Sequence, residues 1–238
     1  MIGDAFGALM AEQLETGRAI EVVERDDGFI GAMPAARYFV APQDWIPLDV
    51  AALDKCTGRV LDIGAGAGRA ALALQDRGHD VLALDISPES IRVCQRRGVR
   101  DTFTGTVQEL AHSGPEPFDT FVLLGNNLGL LEGPLAAAGF LAALAALAGP
   151  GATLVGINTD PYGTQDPVHL GYHERNRAAG RAAGQLRLRV RHRQLATPWF
   201  DYLLSAPEEL ERLVAGTSWR FADVRSDGGS YLATLAAV

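Results

Sequence analysis

The segment Val60-Leu-Asp-Ile-Gly-Ala-Gly-Ala-Gly68 most constrains how this chain can fold. A short apolar run, Arg59 to Ile63, leads into glycines at 64, 66 and 68, and a helix-like stretch from Arg69 to Arg77 follows. Such a turn uses backbone conformations open to glycine and lets the main chain approach a ligand closely. The helix start beyond it offers free N–H groups and partial positive charge. A dinucleotide fingerprint, G-x-G-x-x-G, would need glycine at 69, where Arg69 stands. The spacing here is G-x-G-x-G, with Asp62 two residues ahead of the first glycine.

Strand-like and helix-like patterns alternate through the middle of the chain, which predicts a parallel sheet covered by helices. Asp80 to Asp85 is a second buried strand. Ser87 and Pro88 read as N-cap and first helical residue, and Gly98 stops that helix. Val99–Thr104, Phe118–Leu124 and Ala152–Asn158 complete the strands of the middle region. Leu135 to Ala148 predicts a buried helix, too short at about 21 Å to cross a hydrocarbon core of about 30 Å. Beyond it, Gln185–Gln194 alternates as a half-buried strand and Trp199–Leu204 is another. Ser205-Ala-Pro-Glu208 predicts a capping box, and Trp219–Arg225 with Tyr231–Ala237 a terminal hairpin. The first 55 residues predict a helix, a hairpin turning at Asp27-Gly28 and a second helix after Pro47.

Asp85 ends the second of these strands, 21 residues after Gly64, where a carboxylate can accept from both hydroxyls of a ribose. Glycine loop and strand-end acid together point to an adenosine-type ligand. Asp62-Ile-Gly-Ala-Gly-Ala-Gly68, Asp85 and the strand Phe118 to Asn126 resemble the class I S-adenosylmethionine (SAM)-dependent methyltransferases over about residues 59 to 158. The resemblance implies a Rossmann-like, doubly wound α/β fold. Its seven-stranded sheet would be parallel except for one strand of the C-terminal antiparallel hairpin, with N-terminal and inserted cap segments. It also implies SAM as cofactor and S-adenosylhomocysteine as product. On it, Gly64, Gly66 and Gly68 pass beneath the methionine part and Asp62 orders the loop. Asp85 holds the ribose and Ile86 packs on the adenine. Thr106 and Val107 stand where many members carry an acid for the adenine amino group. Gly125 and Asn126, in Leu124-Gly-Asn-Asn-Leu-Gly-Leu130, are similar to the Gly-Asn-Ser segment of small-molecule N-methyltransferases.

Methyl transfer from a sulfonium is a displacement governed by alignment, and a base is needed only where the nucleophile enters protonated. The stretch after the strand Ala152–Asn158 supplies the candidates: Asp160, His169 and His173 for catalysis, and Tyr162 for substrate. Each also reads as a turn or surface residue. Arg37, Tyr38 and Asn127 are further substrate candidates, Arg37-Tyr38 as part of a lid or as a hydrophobic anchor. A metal site from His169, His173 and Asp160 fits less well, because Gly171 weakens a helix there and no HExxH pattern occurs. Alternate arginines at 187, 189, 191 and 193 read as a solvated strand face or an anion-binding stripe.

These features divide the chain into an N-terminal cap over 1–55 and a SAM-binding core over 56–238, with a substrate-cap insert at 160–200. The predicted activity is methyl transfer to an oxygen or nitrogen of a small metabolite. The alternatives are a nicotinamide-dependent oxidoreductase and a non-catalytic SAM-binding protein. A net charge of −8 argues against a nucleic-acid partner. Two cysteines and no leader-like N-terminus predict a cytoplasmic protein with no membrane partner.

Overall fold

The computed structural model describes all 238 residues. The chain opens with α1 (Ala5–Thr16), β1 (Ile20–Arg25), β2 (Ile30–Pro34) and α2 (Pro47–Asp54). Asp4 accepts from the Gly7 amide to start α1, and left-handed Gly17 ends it. Alternation then follows: β3 (Arg59–Ile63), α3 (Arg69–Asp76), β4 (Asp80–Asp85), α4 (Pro88–Arg97), β5 (Asp101–Thr104), α5 (Val107–Ser113), β6 (Phe118–Leu123), α6 (Pro134–Leu147) and β7 (Ala148–Thr159). The remainder is α7 (Pro167–Ala178), β8 (Gln185–His192), β9 (Leu195–Ala196), β10 (Phe200–Leu203), α8 (Pro207–Val214), β11 (Trp219–Asp227) and β12 (Ser230–Ala237).

Seven strands form the main sheet in the order β11-β12-β7-β6-β3-β4-β5. Only β12 runs against the others, antiparallel to both β7 and β11. β3 carries β4 on one side and β6 on the other, so the strand order reverses there. The loops leaving β3 and β6 diverge into a crevice at the carboxyl ends, where open α/β sheets bind ligands. Helices cover both faces, which is why Val60, Leu61 and Ile63 of β3 are all buried. Leu61 and Ile63 join Phe121, Leu141 and Trp219 on one face, while Val60 packs with Leu74 and Val122 on the other.

A second, antiparallel sheet has the order β10-β8-β1-β2. The N-terminal hairpin and the insert, separate in sequence, therefore share one sheet, with β1 paired to β8 from Val22↔Arg191 to Arg25↔Leu188. Along β1, Glu21 and Arg25 are buried while Glu24 turns outward to bind Arg189 and Arg191. Arg187 pairs with Asp201 and Arg193 with Glu12, so each arginine of the stripe has an internal acidic partner. The stripe is a solvated strand face.

Several local expectations shift. α6 is buried on one side only, through Ala137, Leu141, Leu144 and Leu147, while Leu135 is 98% exposed. The capping box at α8 lies one residue later: Glu209 accepts from the Ala206 amide, and Ser205 turns instead to Tyr231 and Asn158. α7 continues through Gly171, because Asp166 and Pro167 fix its start. No helix is long and apolar enough to cross a membrane.

Candidate active site

The glycine loop leaves β3 with Gly64, Gly66 and Gly68 all in the left-handed region, at φ 71°, 57° and 76°. The three have different surroundings. A Cβ on Gly64 would lie 2.6 Å from Asn127 Nδ2, and one on Gly68 2.8 Å from Val99 Cγ2. One on Gly66 would meet the Phe6 ring at 3.7 Å and the Gly64 carbonyl oxygen at 4.0 Å, both ordinary contacts. Gly66 is thus the one of the three where a methyl fits without a clash, with Phe6 at the start of α1 facing it.

Two buried acids hold this loop. Asp62 accepts from the Ala71 amide at 3.1 Å, tying β3 to α3. Asp85 accepts from Gly66 N at 2.8 Å and from Ser87 N at 2.9 Å, one bond to each oxygen. Burial pushes Asp62 up to about 7 and Asp85 up to about 6, against the pull of those amide bonds. A carboxylate offers about four acceptor positions, so Asp85 keeps room for further hydroxyl donors. Next to it, Ile86 is 71% exposed, an apolar platform at the mouth of the crevice. Left-handed glycines, an acid with free acceptor positions and an exposed isoleucine fit the methionine, ribose and adenine parts of SAM.

Other sequence candidates turn to internal partners. Thr106 caps α5, its hydroxyl and amide both engaged with Glu109. Val107 is buried in the core with Leu110, and Phe103 packs against the same cluster, so this segment offers an adenine its backbone groups. The Thr106-Val-Gln-Glu109 spacing was the readable signal for that helix start. Asn127 donates to the carbonyls of Ile63 and Gly64, both at 2.9 Å, and so braces the glycine loop. Arg37 and Tyr38 both bind buried Glu21, and Tyr38 stands edge-on to Phe6. Tyr162 is half exposed and donates to Glu209. At the start of α3, Arg69 binds Asp49 at 2.7 Å beneath Trp45, close to Gly125.

His169, His173 and Asp160 do come together. They line a cavity of about 500 Å³ between the second sheet, α7 and the ends of β7 and β12. Its apolar wall includes Val23, Phe29, Leu186 and Leu204, and its polar wall Arg25, Thr159 and Ser230. Thr159 links the cavity to the glycine loop: its hydroxyl donates to Asn126 Oδ1 at 3.1 Å, and the adjacent Asn127 holds Gly64. Asn126 is left-handed, at φ 71°. Asp160 accepts from the Tyr162 amide through Oδ1, and its Oδ2 makes no hydrogen bond within the chain. His173 is 5% exposed and its Nδ1 has no hydrogen-bond partner. Burial lowers its pKa, and the nearby positive charge of Arg177 adds to this. No three metal-ligating side chains converge anywhere in the chain. Arg25 escaped the sequence analysis, since one arginine in a hairpin carries no motif.

The family model described as a methyltransferase domain matches residues 60–158. A SAM-dependent methyltransferase from Bacteroides fragilis, solved with S-adenosyl-L-homocysteine, is similar over 99% of this chain and 95% of its own. It shares 25% identity at a TM-score of 0.83. The CcbJ methyltransferase from Streptomyces caelestis shares 20% identity over 80% of this chain and 93% of its own, at 0.59. The 1,6-didemethyltoxoflavin-N1-methyltransferase from Burkholderia thailandensis, solved with 1,6-didemethyltoxoflavin and S-adenosylhomocysteine, shares 22% over 81% of this chain and 77% of its own, at 0.54. No curated protein matches the sequence. Sheet order, glycine loop and family match define a methyltransferase domain on a Rossmann-like fold. Residues 60–158 match a methyltransferase domain, and the chain is similar over its length to a SAM-dependent methyltransferase.

Proposed function

We propose that this enzyme transfers a methyl group from SAM to an oxygen or nitrogen of a small molecule held in the cavity of His169 and His173. The observation that carries this is the cavity's position. It opens at the end of β7, one hydrogen bond from Asn126 and hence beside the glycine loop. In this reading Asp62, Gly64, Gly66, Gly68, Gly125 and Asn126 surround the methionine part, and Asp85 and Ile86 take the ribose and adenine. SAM, when bound, supplies an electrophilic methyl on a positively charged sulfur. The protein's task is then alignment and exclusion of water, with reacting atoms about 3–3.5 Å apart. The second sheet serves both ends: Glu21 on β1 binds Arg37 and Tyr38 near Phe6, while Val23 and Arg25 line the acceptor cavity. Arg25 lies four residues along the strand from Glu21, about 13 Å at the strand rise, so one strand spans cofactor lid and acceptor wall. His173, buried and unpartnered at Nδ1, is the group available to receive a proton, and Asp160 is the acid that lines the same cavity.

The test is calorimetric titration with SAM and S-adenosylhomocysteine, with NADH as control. Both sulfur compounds should bind and NADH should not. Hydrogen bonds to a charged group contribute about 1.5–3 kcal/mol each, so Asp85→Ala should weaken binding at least tenfold, roughly. Binding of NADH alone by folded protein would refute the reading. A screen of small O–H and N–H acceptors for release of S-adenosylhomocysteine then tests catalysis.

A further inference from the structure

We propose that Arg25 is a positioning residue that divides the two cavity histidines into a donor and a proton acceptor, and that the acceptor molecule is uncharged and carries an O–H or N–H nucleophile. This rests on the cavity assignment above and names the substrate class for it.

Arg25 is itself 4% exposed, and its position is heavily determined. Its Nε and Nη2 donate to the two oxygens of Asp27 at 2.8 and 2.9 Å. The guanidinium lies over the rings of Tyr172 and Phe29, 4.1 and 4.8 Å from their centroids. Its Nη1 reaches His169 Nδ1 at 3.0 Å. A guanidinium has no acceptor, so it donates and His169 Nδ1 accepts. The proton of neutral His169 therefore sits on Nε2. Protonating Nδ1 would break that bond and place two cations together, so His169 serves as a hydrogen-bond donor.

His173, one helical turn on, has no such partner. Arg177, His169 and Arg25 face it with positive or potentially positive charge, and only Glu209 opposes them. It stays neutral and free to take a proton. When the nucleophile's lone pair forms its bond to the methyl carbon, the carbon–sulfur pair stays on sulfur and the O–H or N–H proton passes to His173. The positive charge that starts on sulfur ends on the imidazole.

Charge around the cavity fixes the substrate class. Arg25, the one arginine of the lining, is already paired on both its Nε and Nη2 with Asp27, a carboxylate that Arg175 shares at 2.8 Å. The remaining ionised group in the lining is Asp160. Within the lining an anionic acceptor would meet that carboxylate and no unpaired arginine, whereas an uncharged ring or chain meets Val23, Phe29, Leu186 and Leu204.

The experiment uses full-length protein with ¹⁵N-labelled histidine, whose long-range ¹H–¹⁵N spectra report which ring nitrogen bears the proton. Phenol and benzoate are the cavity probes. In the wild type His169 should be in the Nε2–H form, and phenol should shift the His169 and His173 signals where benzoate does not. Arg25→Met should mix the His169 tautomers and weaken phenol at least tenfold, roughly, while Arg25→Lys, which keeps one donor, restores part of both. A proton on His169 Nδ1 in the wild type would overturn the inference. So would unchanged tautomers in folded Arg25→Met, failure of phenol to bind, or benzoate binding as tightly as phenol. If Arg25→Met does not fold, the wild-type tautomer and the two probes decide alone. SAM titration of the same samples separates the two levels: retained SAM binding beside failed histidine results removes this inference and leaves the methyltransferase reading intact.

Discussion

Replacing Gly66 with alanine should separate cofactor binding from stability. Gly66 has φ 57°, so an alanine there carries the left-handed penalty of about 1–2 kcal/mol. Its Cβ would meet nothing nearer than Phe6 at 3.7 Å, an ordinary contact, so no packing cost adds to it. For a chain of this size that corresponds to a melting temperature lower by about 2–8 °C. Gly68→Ala carries the same backbone penalty at φ 76°. It also drives a Cβ to 2.8 Å from Val99 and 3.0 Å from Cys94, both buried. Overpacking of that kind adds about 1–3 kcal/mol, for a total fall of about 4–20 °C. Binding should rank differently. The methyl of Gly66→Ala stands where the cofactor approaches the loop, and a comparable overpacking cost of about 2 kcal/mol weakens SAM about 30-fold. Differential scanning calorimetry and SAM titration on the two variants make the comparison. Wild-type SAM affinity in Gly66→Ala would refute the assigned path of the cofactor. Melting of Gly66→Ala at or below Gly68→Ala would refute the strain argument itself.

Asp62 keeps its proton up to about 7 in the folded chain, against an ordinary 3.8, so the folded state binds more protons between those values. Its contribution to stability is complete below 3.8 and lost as pH rises to about 7. Asp62→Asn should flatten the corresponding fall in Tm, which thermal scans from about pH 4 to 7 would show. Trp219→Ala removes a fully buried ring that meets Phe121 edge-on and donates to the Leu141 carbonyl, and should cost about 3–5 kcal/mol in denaturant titration. Arg191→Ala breaks a half-exposed pair with Glu24 and should change stability by no more than about 1 kcal/mol, with acceptor binding untouched. With an acceptor in hand, kcat/KM should fall as pH drops through a value below the usual imidazole range, and His173→Gln should abolish that acid limb. The groups facing His173 in this titration are Arg177, His169, Arg25 and Glu209. An acid limb retained in His173→Gln would assign the proton to another group.

The residues that made the cofactor site readable are close in sequence. Gly64, Gly66 and Gly68 lie within one turn, and their need for positive φ and close approach is a property of the residues themselves. Asp85 lies one strand–loop–helix–strand unit away, a distance that parallel-sheet geometry fixes. Asn126 and Asn127 were visible as a polar turn, but their directions were not: Asn127 faces the backbone of Gly64, and Asn126 is bound by Thr159. The partners of Thr106, Val107 and Asn127 were not legible, because they depend on which way a side chain turns at a strand or helix end. Packing decides that.

The sequence by itself determined the alternating α/β core, the strand–glycine–helix turn and the terminal hairpin, because period, turn chemistry and caps are local. Only the tertiary structure decided that the N-terminal hairpin and the insert form one sheet, because β1 and β8 pair across more than 160 residues. The same pairing brings Arg25 and Asp27 to His169 and gives two similar histidines different surroundings. Hydrogen-bond direction and desolvation, which set those surroundings, exist only once distant segments are in contact.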